Sequence, residues 1–286
     1  MASGNSREIT TSQVGIHDKL DDLVKKYQAS ENKRPISDHT QAAFDDVSAW
    51  LDGFSGEIIL DSCCGVGEST ANIARANPDA RVIGIDKSAL RVDKHEYYSA
   101  QQDNYRVIRA DVNDFWRLVK QSNWNVTQHF LLYPNPYPKK TQVQKRWHGS
   151  AAMVDLMAIT PNIEVRSNWL IYLMEFAQAA KHYGMVSDLS EVTGDDHMTP
   201  FERKYRGSGQ SCWLLNCRSE ESWVCYSSKK YWKLIKVGWD ENLAPFVIQI
   251  RIIRLLMARS GTSHIRHGRT KHISLCITNG QAFYAF

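Results

Sequence analysis

Nothing in this 286-residue sequence is apolar for long enough to suggest a membrane span. The longest apolar stretch, Ala244 to Ala258, is interrupted by Arg251 and Arg254, whereas a spanning helix needs about 20 predominantly apolar residues. The opening residues Met1 to Arg7 are polar, with no apolar core of a secretory signal behind them. Cysteine is sparse. Cys63, Cys64, Cys212, Cys217, Cys225 and Cys276 show neither paired metal-ligand spacing nor the density of a disulfide scaffold, so reduced thiols are expected. His264, His267 and His272 lack acidic or cysteine partners at zinc-like spacing, and no metal is expected. No internal repeat is visible. A net charge of +4 is mild; it permits a nucleic-acid partner without demanding one. With 43% hydrophobic and 23% charged residues the composition is that of an ordinary globular chain. A cytoplasmic protein with no membrane partner is the expectation.

What is present is an alternation. Short runs rich in β-branched residues occur at Glu57–Leu60, Arg81–Ile85, Tyr105–Ile108, His129–Tyr133 and Ile163–Val165, with helical stretches between them. Buried parallel strands read in this way, because helices cover both sheet faces. Two further candidates, Met185–Leu189 and Ser211–Leu215, follow with no strong helix between them. The expected fold is α/β: a doubly wound, seven-stranded, mostly parallel sheet with an antiparallel last strand. Residues 1–50 are assigned to an N-terminal arm and helix, with a helix over Ile16–Ala29 and the remainder solvated; 51–218 to the main domain; and 219–286 to a basic extension with a helix over Pro245–Arg259. Thr193 to Gln210 is polar and reads as a loop.

The first strand runs into Asp61-Ser-Cys-Cys-Gly-Val-Gly67 and then a helix to about Ala76. Small residues in such a turn let backbone and cofactor approach closely, and the helix N-terminus offers free N–H groups. A dinucleotide site would carry G-x-G-x-x-G, but Thr70 stands at the third glycine. The turn is instead similar to the first motif of methyltransferases, acidic-x-G-x-G-x-G, at Asp61, Cys63, Gly65 and Gly67. Asp86 and Asp111 end the second and third strands. Carboxylates there can accept hydrogen bonds from ribose hydroxyls and from an adenine amino group. Each acid taken alone also reads as a helix cap or turn residue.

After the fourth strand comes Pro134-Asn-Pro-Tyr-Pro-Lys-Lys140, then Lys145 and Arg146. Alternating prolines make a stiff loop that restrains Asn135, and the cations that follow suit phosphate neutralisation. This loop, with Arg166-Ser-Asn-Trp169 and Thr199-Pro-Phe-Glu202, resembles the bacterial-type tRNA (guanine-N7-)-methyltransferase family, across roughly residues 55–217. The family's loop has the form Pro-Asp-Pro-Trp-Pro-Lys-Lys. The resemblance implies a Rossmann-like methyltransferase fold and S-adenosylmethionine as cofactor, held by Asp61, Cys63, Gly65, Gly67, Asp86 and Asp111. It places Lys139, Asn168, Thr199 and Glu202 on a guanosine of tRNA, with Asn135 in the catalytic position. Lys139, Lys140, Lys145 and Arg146 are the expected phosphate contacts. Asn135 and Asn168 depart from the family, which has Asp at both places, so guanine selection falls to Glu202. Two other readings stay open. An Asn-Pro-aromatic loop also resembles that of amino-methyltransferases acting on adenine N6 or a protein amide, and the replaced acids would suit an RNA-binding relative without catalysis.

Overall fold

The computed structural model describes residues 6–97 and 102–219 together with five further strands within 224–285, for which only the backbone pairing is described. In chain order the first part comprises α1 (Leu20–Gln28), α2 (Asp38–Leu51), β1 (Ile58–Ser62), α3 (Glu68–Ala76), β2 (Arg81–Asp86), α4 (Ala89–Val92), β3 (Tyr105–Arg109) and α5 (Val112–Gln121). It continues through β4 (Val126–Leu132), α6 (Ala152–Ile159), β5 (Asn162–Ser167), α7 (Leu170–Lys181), β6 (Met185–Glu191), α8 (Pro200–Gly207) and β7 (Trp213–Ser219). The seven strands form one sheet in the order β3-β2-β1-β4-β5-β7-β6. The pairs β1–β2, β2–β3, β1–β4 and β4–β5 are parallel, and β5–β7 is antiparallel. The expected fold class is the one observed.

Strand order reverses between β1 and β4, so the loops leaving their carboxyl ends splay apart and open the crevice where sheets of this kind bind ligands. β1 is buried along its whole length, and its alternation divides the core. Ile58 and Leu60 join the larger cluster, with Phe115, Trp116, Tyr172 and Phe176. Ile59 faces the smaller one, with Ala71, Ile73 and Ala74 of α3.

Three expectations are corrected. The stretch 193–210 contains α8, because Thr199 caps its helix: Oγ1 accepts from the Glu202 N–H at 3.0 Å with Pro200 at the first position. The residues that resemble a substrate motif are therefore also a helix start. The N-terminal residues are not a solvated arm throughout, since Leu20 and Val24 enter the larger core cluster and Gln13 and His17 are buried. In the extension, the expected helix over Pro245–Arg259 is instead strand β10 (Val247–Arg254) where it is described, its Val-Ile-x-Ile-x-Ile-Ile pattern favouring a strand; residues 245–246 and 255–259 lie outside the described residues.

The extension's strands are β8 (Val224–Ser228), β9 (Tyr231–Trp239), β10, β11 (Lys271–Thr278) and β12 (Gln281–Ala285), an antiparallel meander in the order β12-β11-β10-β9-β8. Contacts divide the chain into two compact units, Met1–Arg218 and Ser219–Phe286. Among the described residues no helix is long and apolar enough to cross a membrane. A chain ending at Arg218 is expected to stay in solution and to melt in one cooperative transition, as checked by light scattering and thermal denaturation. Aggregation would show instead that the later strands complete the first unit's core.

Candidate active site

Asp61 closes β1 with no exposure to solvent. Its Oδ2 accepts from the hydroxyls of Ser69 at 2.6 Å and Thr70 at 2.7 Å, both in the first turn of α3. Its Oδ1 is buried without a partner among the described residues, an arrangement that calls for a donor from outside the chain. Burial pushes the Asp61 carboxyl up to about 6; the two hydroxyls oppose the rise and nearby Asp86 adds to it. Beyond it, Cys63 (φ 62°), Gly65 (φ 62°) and Gly67 (φ 76°) turn the backbone left-handed. No heavy atom would lie within 4 Å of a Cβ on Gly65, whereas one on Gly67 would meet His95 and Val107. Gly65 thus borders open space and Gly67 permits close packing. An orphaned acceptor at the end of β1, beside a turn with nothing over Gly65, fits a cofactor that brings a donor group, as the amino-acid end of S-adenosylmethionine would.

Asp86 and Asp111 are placed at the strand ends as expected. Asp86 accepts the Gly65 N–H at 3.0 Å on Oδ2 and the Ser88 N–H at 2.8 Å on Oδ1, which leaves acceptor capacity on both oxygens. Asp111 caps α5, accepting from Asn113 at 3.0 Å and Asp114 at 3.4 Å on Oδ1, while its Oδ2 stands 3.5 Å from Arg34. Burial pushes the Cys63 thiol up to about 12, with Asp86 and Asp61 adding to the shift, and it drives Cys64 well above its usual range. Both thiols stay protonated and pack the turn rather than attack.

The loop after β4 is strained at both ends. Tyr133 (φ 55°) and Tyr137 (φ 45°) are, with Cys63, the three non-glycine residues with positive φ among the described residues. Each such conformation costs about 1–3 kcal/mol and persists only where surrounding contacts impose it. All three lie in loops leaving the carboxyl ends of β1 and β4. Asn135 is exposed, and its Oδ1 accepts the Tyr137 N–H at 3.3 Å. Because that partner is a donor, the side-chain oxygen is the atom engaged in the turn, and no hydrogen bond from the NH2 occurs among the described residues.

Lys139, Lys140 and Lys145 are exposed; Lys140 lies 3.3 Å from Asp18, and the Lys145 Nζ lies 5.9 Å from the centre of the Tyr137 ring. Arg146 does not belong with them. It is fully buried, so the expected phosphate contact is corrected: its Nη1 lies 2.5 Å from Glu175 Oε2, and its Nη2 donates to Gln13 Oε1 at 3.0 Å, Tyr137 O at 3.0 Å and Lys139 O at 3.2 Å. Its Nε also donates to Tyr137 O, at 3.2 Å.

Glu202 is fully buried as well. Its Oε2 accepts from the Tyr133 hydroxyl at 2.8 Å and, with Oε1, from Arg166 at 3.1 and 3.3 Å. It therefore offers no exposed carboxylate to a base, contrary to the role implied for it, and ties α8 to the ends of β4 and β5. Thr199 is spent on the helix cap. Asn168 keeps an acceptor: its Nδ2 donates to Gln210 Oε1 at 2.9 Å, and no hydrogen bond to its Oδ1 occurs among the described residues. Arg203 pairs with Glu68, fastening α8 to the start of α3.

Glu175 was missed in the sequence, although a signal existed. In α7 it shares the inward stripe with Tyr172, Phe176 and Ala179, where an acid is rare unless paired. Four donors converge on it: Gln13 Nε2 at 2.6 Å and the His17 N–H at 2.9 Å on Oε1, Arg146 and His148 Nε2 at 2.8 Å on Oε2. Burial alone would raise its pKa, but the hydrogen bonds from His148 and Arg146 and their charges hold it down at about 2. Burial lowers the His148 pKa from the usual histidine value, and its hydrogen bond to Glu175 and the Glu175 charge oppose that shift. Removing one member of such a buried pair costs about 3–5 kcal/mol, because the other charge is left uncompensated.

Residues 55–215 match the family model described as "Putative methyltransferase". A tRNA (guanine-N(7)-)-methyltransferase of Ruegeria pomeroyi is 29% identical over 126 residues, 42% of this chain and 46% of that protein. One of Thermotoga maritima, with the same name, is 22% identical over 173 residues, 58% of this chain and 55% of that one. The chain spans about half the length of these two relatives. Among solved structures, the antibiotic-resistance methyltransferase Kmr aligns with a TM-score of 0.44 at 17% identity, covering 62% of this chain and 92% of that chain.

Asp61 yields the pH prediction. Because its folded pKa is raised from 3.8 to about 6, its contribution to the stability of the ligand-free protein is present below pH 3.8 and lost as pH rises through 6. Cofactor binding runs the other way, since a cationic donor favours the ionised form. Affinity for S-adenosylmethionine, measured by calorimetry, is expected to fall about tenfold per unit below the folded pKa. In Asp61→Asn the profile should be flat.

Proposed function

The chain belongs to this methyltransferase family, whose cofactor is S-adenosylmethionine, and on that premise we propose that it methylates N7 of a guanine in tRNA. The observation that carries this reading is the polarity of Asn135. With Oδ1 closed onto the Tyr137 N–H, the group left outward is an N–H donor. Guanine presents N7 and O6 on one edge, both acceptors. A donor held at O6 orients that edge and leaves the N7 lone pair free.

S-adenosylmethionine, when bound, supplies a methyl group on a sulfonium. Guanine N7 carries no proton, so the chain needs no general base, and the acceleration comes from holding the reacting atoms in line. Asn135 therefore orients the base. Asn168 Oδ1 is the acceptor available for the N1–H and amino side of guanine. Glu202 acts through Tyr133 and Arg166, holding α8 against the strand ends. Lys139, Lys140 and Lys145 meet the phosphates. The names of the Ruegeria and Thermotoga relatives support the tRNA reading.

Incubation with labelled S-adenosylmethionine and tRNA lacking 7-methylguanosine, followed by nucleoside analysis, is expected to place the label in 7-methylguanosine. Asn135→Ala should lower kcat by about 100-fold through misalignment, with cofactor affinity unchanged. Label in N6-methyladenosine, or in no nucleoside, would overturn the assignment.

A further inference from the structure

Arg146 acts on the loop that carries Asn135. Tyr137, whose left-handed backbone lies two residues beyond Asn135 and closes its turn, has its carbonyl gripped twice by Arg146, through Nε at 3.2 Å and Nη2 at 3.0 Å. The same Nη2 reaches the Lys139 carbonyl at 3.2 Å. The guanidinium carbon lies 4.8 Å from the centre of the Trp169 ring, next to Asn168. One buried side chain therefore meets the backbone on the far side of Asn135 and the residue after Asn168.

The segment before α1 completes the grip. The Thr11 hydroxyl donates to the Pro138 carbonyl at 2.5 Å. Gln13 bridges the ion pair, its Nε2 on Glu175 at 2.6 Å and its Oε1 on Arg146 at 3.0 Å. Three consecutive loop carbonyls, those of Tyr137, Pro138 and Lys139, are thus held by Arg146 and Thr11.

We propose that Arg146, clamped by Glu175 and Gln13, is a positioning residue that sets the Asn135 loop for methyl transfer, with Thr11 of the N-terminal segment as its second fastening. This rests on the preceding reading that Asn135 meets the substrate base. No atom of Arg146 or Thr11 touches the reacting groups; both act through the loop backbone.

The test uses the full chain with Arg146→Lys and Thr11→Val. Lysine keeps the charge beside Glu175 and loses the planar fork that serves several acceptors at once. Valine keeps the shape of Thr11 and loses one hydrogen bond. Three quantities are read: kcat and KM on tRNA, the Kd for S-adenosylmethionine, and the rate of trypsin cleavage after the exposed Lys139 and Lys140. Arg146→Lys is expected to lower kcat by about 100-fold, and Thr11→Val by about fivefold. In both, cleavage after Lys139 and Lys140 should quicken while cofactor Kd and KM stay within about twofold of the parent.

Unchanged kcat in a folded variant would overturn the proposal, as would cofactor affinity lost in step with kcat, which marks general loosening. If Arg146→Lys fails to fold, Thr11→Val decides alone. If the parent chain does not methylate tRNA, the substrate reading fails, and the cleavage rates still decide the clamp: acceleration supports it, and unchanged rates overturn it.

Discussion

Glu175 carries a full negative charge inside the protein with no solvent contact, and that charge is tolerable only because four donors surround it. An isolated buried carboxylate would take up a proton; this one is held ionised by Arg146 and His148. Its partners come from two separate parts of the chain, the segment before α1 and the loop after β4, while Glu175 itself stands in α7. Each must therefore arrive in register for the others to be stable, and the candidate site inherits that order.

The consequences reach the chemistry through the backbone. Among the described residues, three adopt left-handed conformations without being glycine, and all three flank the crevice left where strand order reverses. Glycine at those places would remove the strain at once. Cysteine and tyrosine survive there because neighbouring groups hold them, as Arg146 does for Tyr137 and Glu202 for the Tyr133 hydroxyl. Glu202 and Glu175 are alike in this respect. Both are buried acids paired with arginine, and both steady a tyrosine-containing stretch beside Asn135.

Asn135 and Asn168 also gain meaning as a pair. With one amide turned so that its N–H faces outward and the other with its oxygen free, the two present opposite polarities. Guanine is itself divided in this way, acceptors on one edge and donors on the other. Two carboxylates could offer acceptors only, so on the proposed reading the departures from the family's usual acids change which edge of the base each residue would hold.

The sheet was legible in the sequence because buried parallel strands are short apolar runs, and the acids at their ends were legible because open sheets bind ligands at their carboxyl edge. Asp61, Gly65, Gly67, Asp86 and Asn135 were identified by position along the chain, and each is placed at a strand end or in the loop beyond it. The helix over 200–207 was not, since the polar composition of 193–210 reads as a loop; the Thr-Pro-x-Glu pattern serves a helix start whatever else it does. The sequence also could not separate Arg146 from Lys145. Both are cations in one run, and which of them is buried depends on a carboxylate 29 residues further on in α7. Local pattern determines which elements form and which residue types stand at their ends. Burial and pairing over long separations exist only once those elements pack, and they decided here that one charge of the run fastens the loop while its lysine neighbours stay exposed.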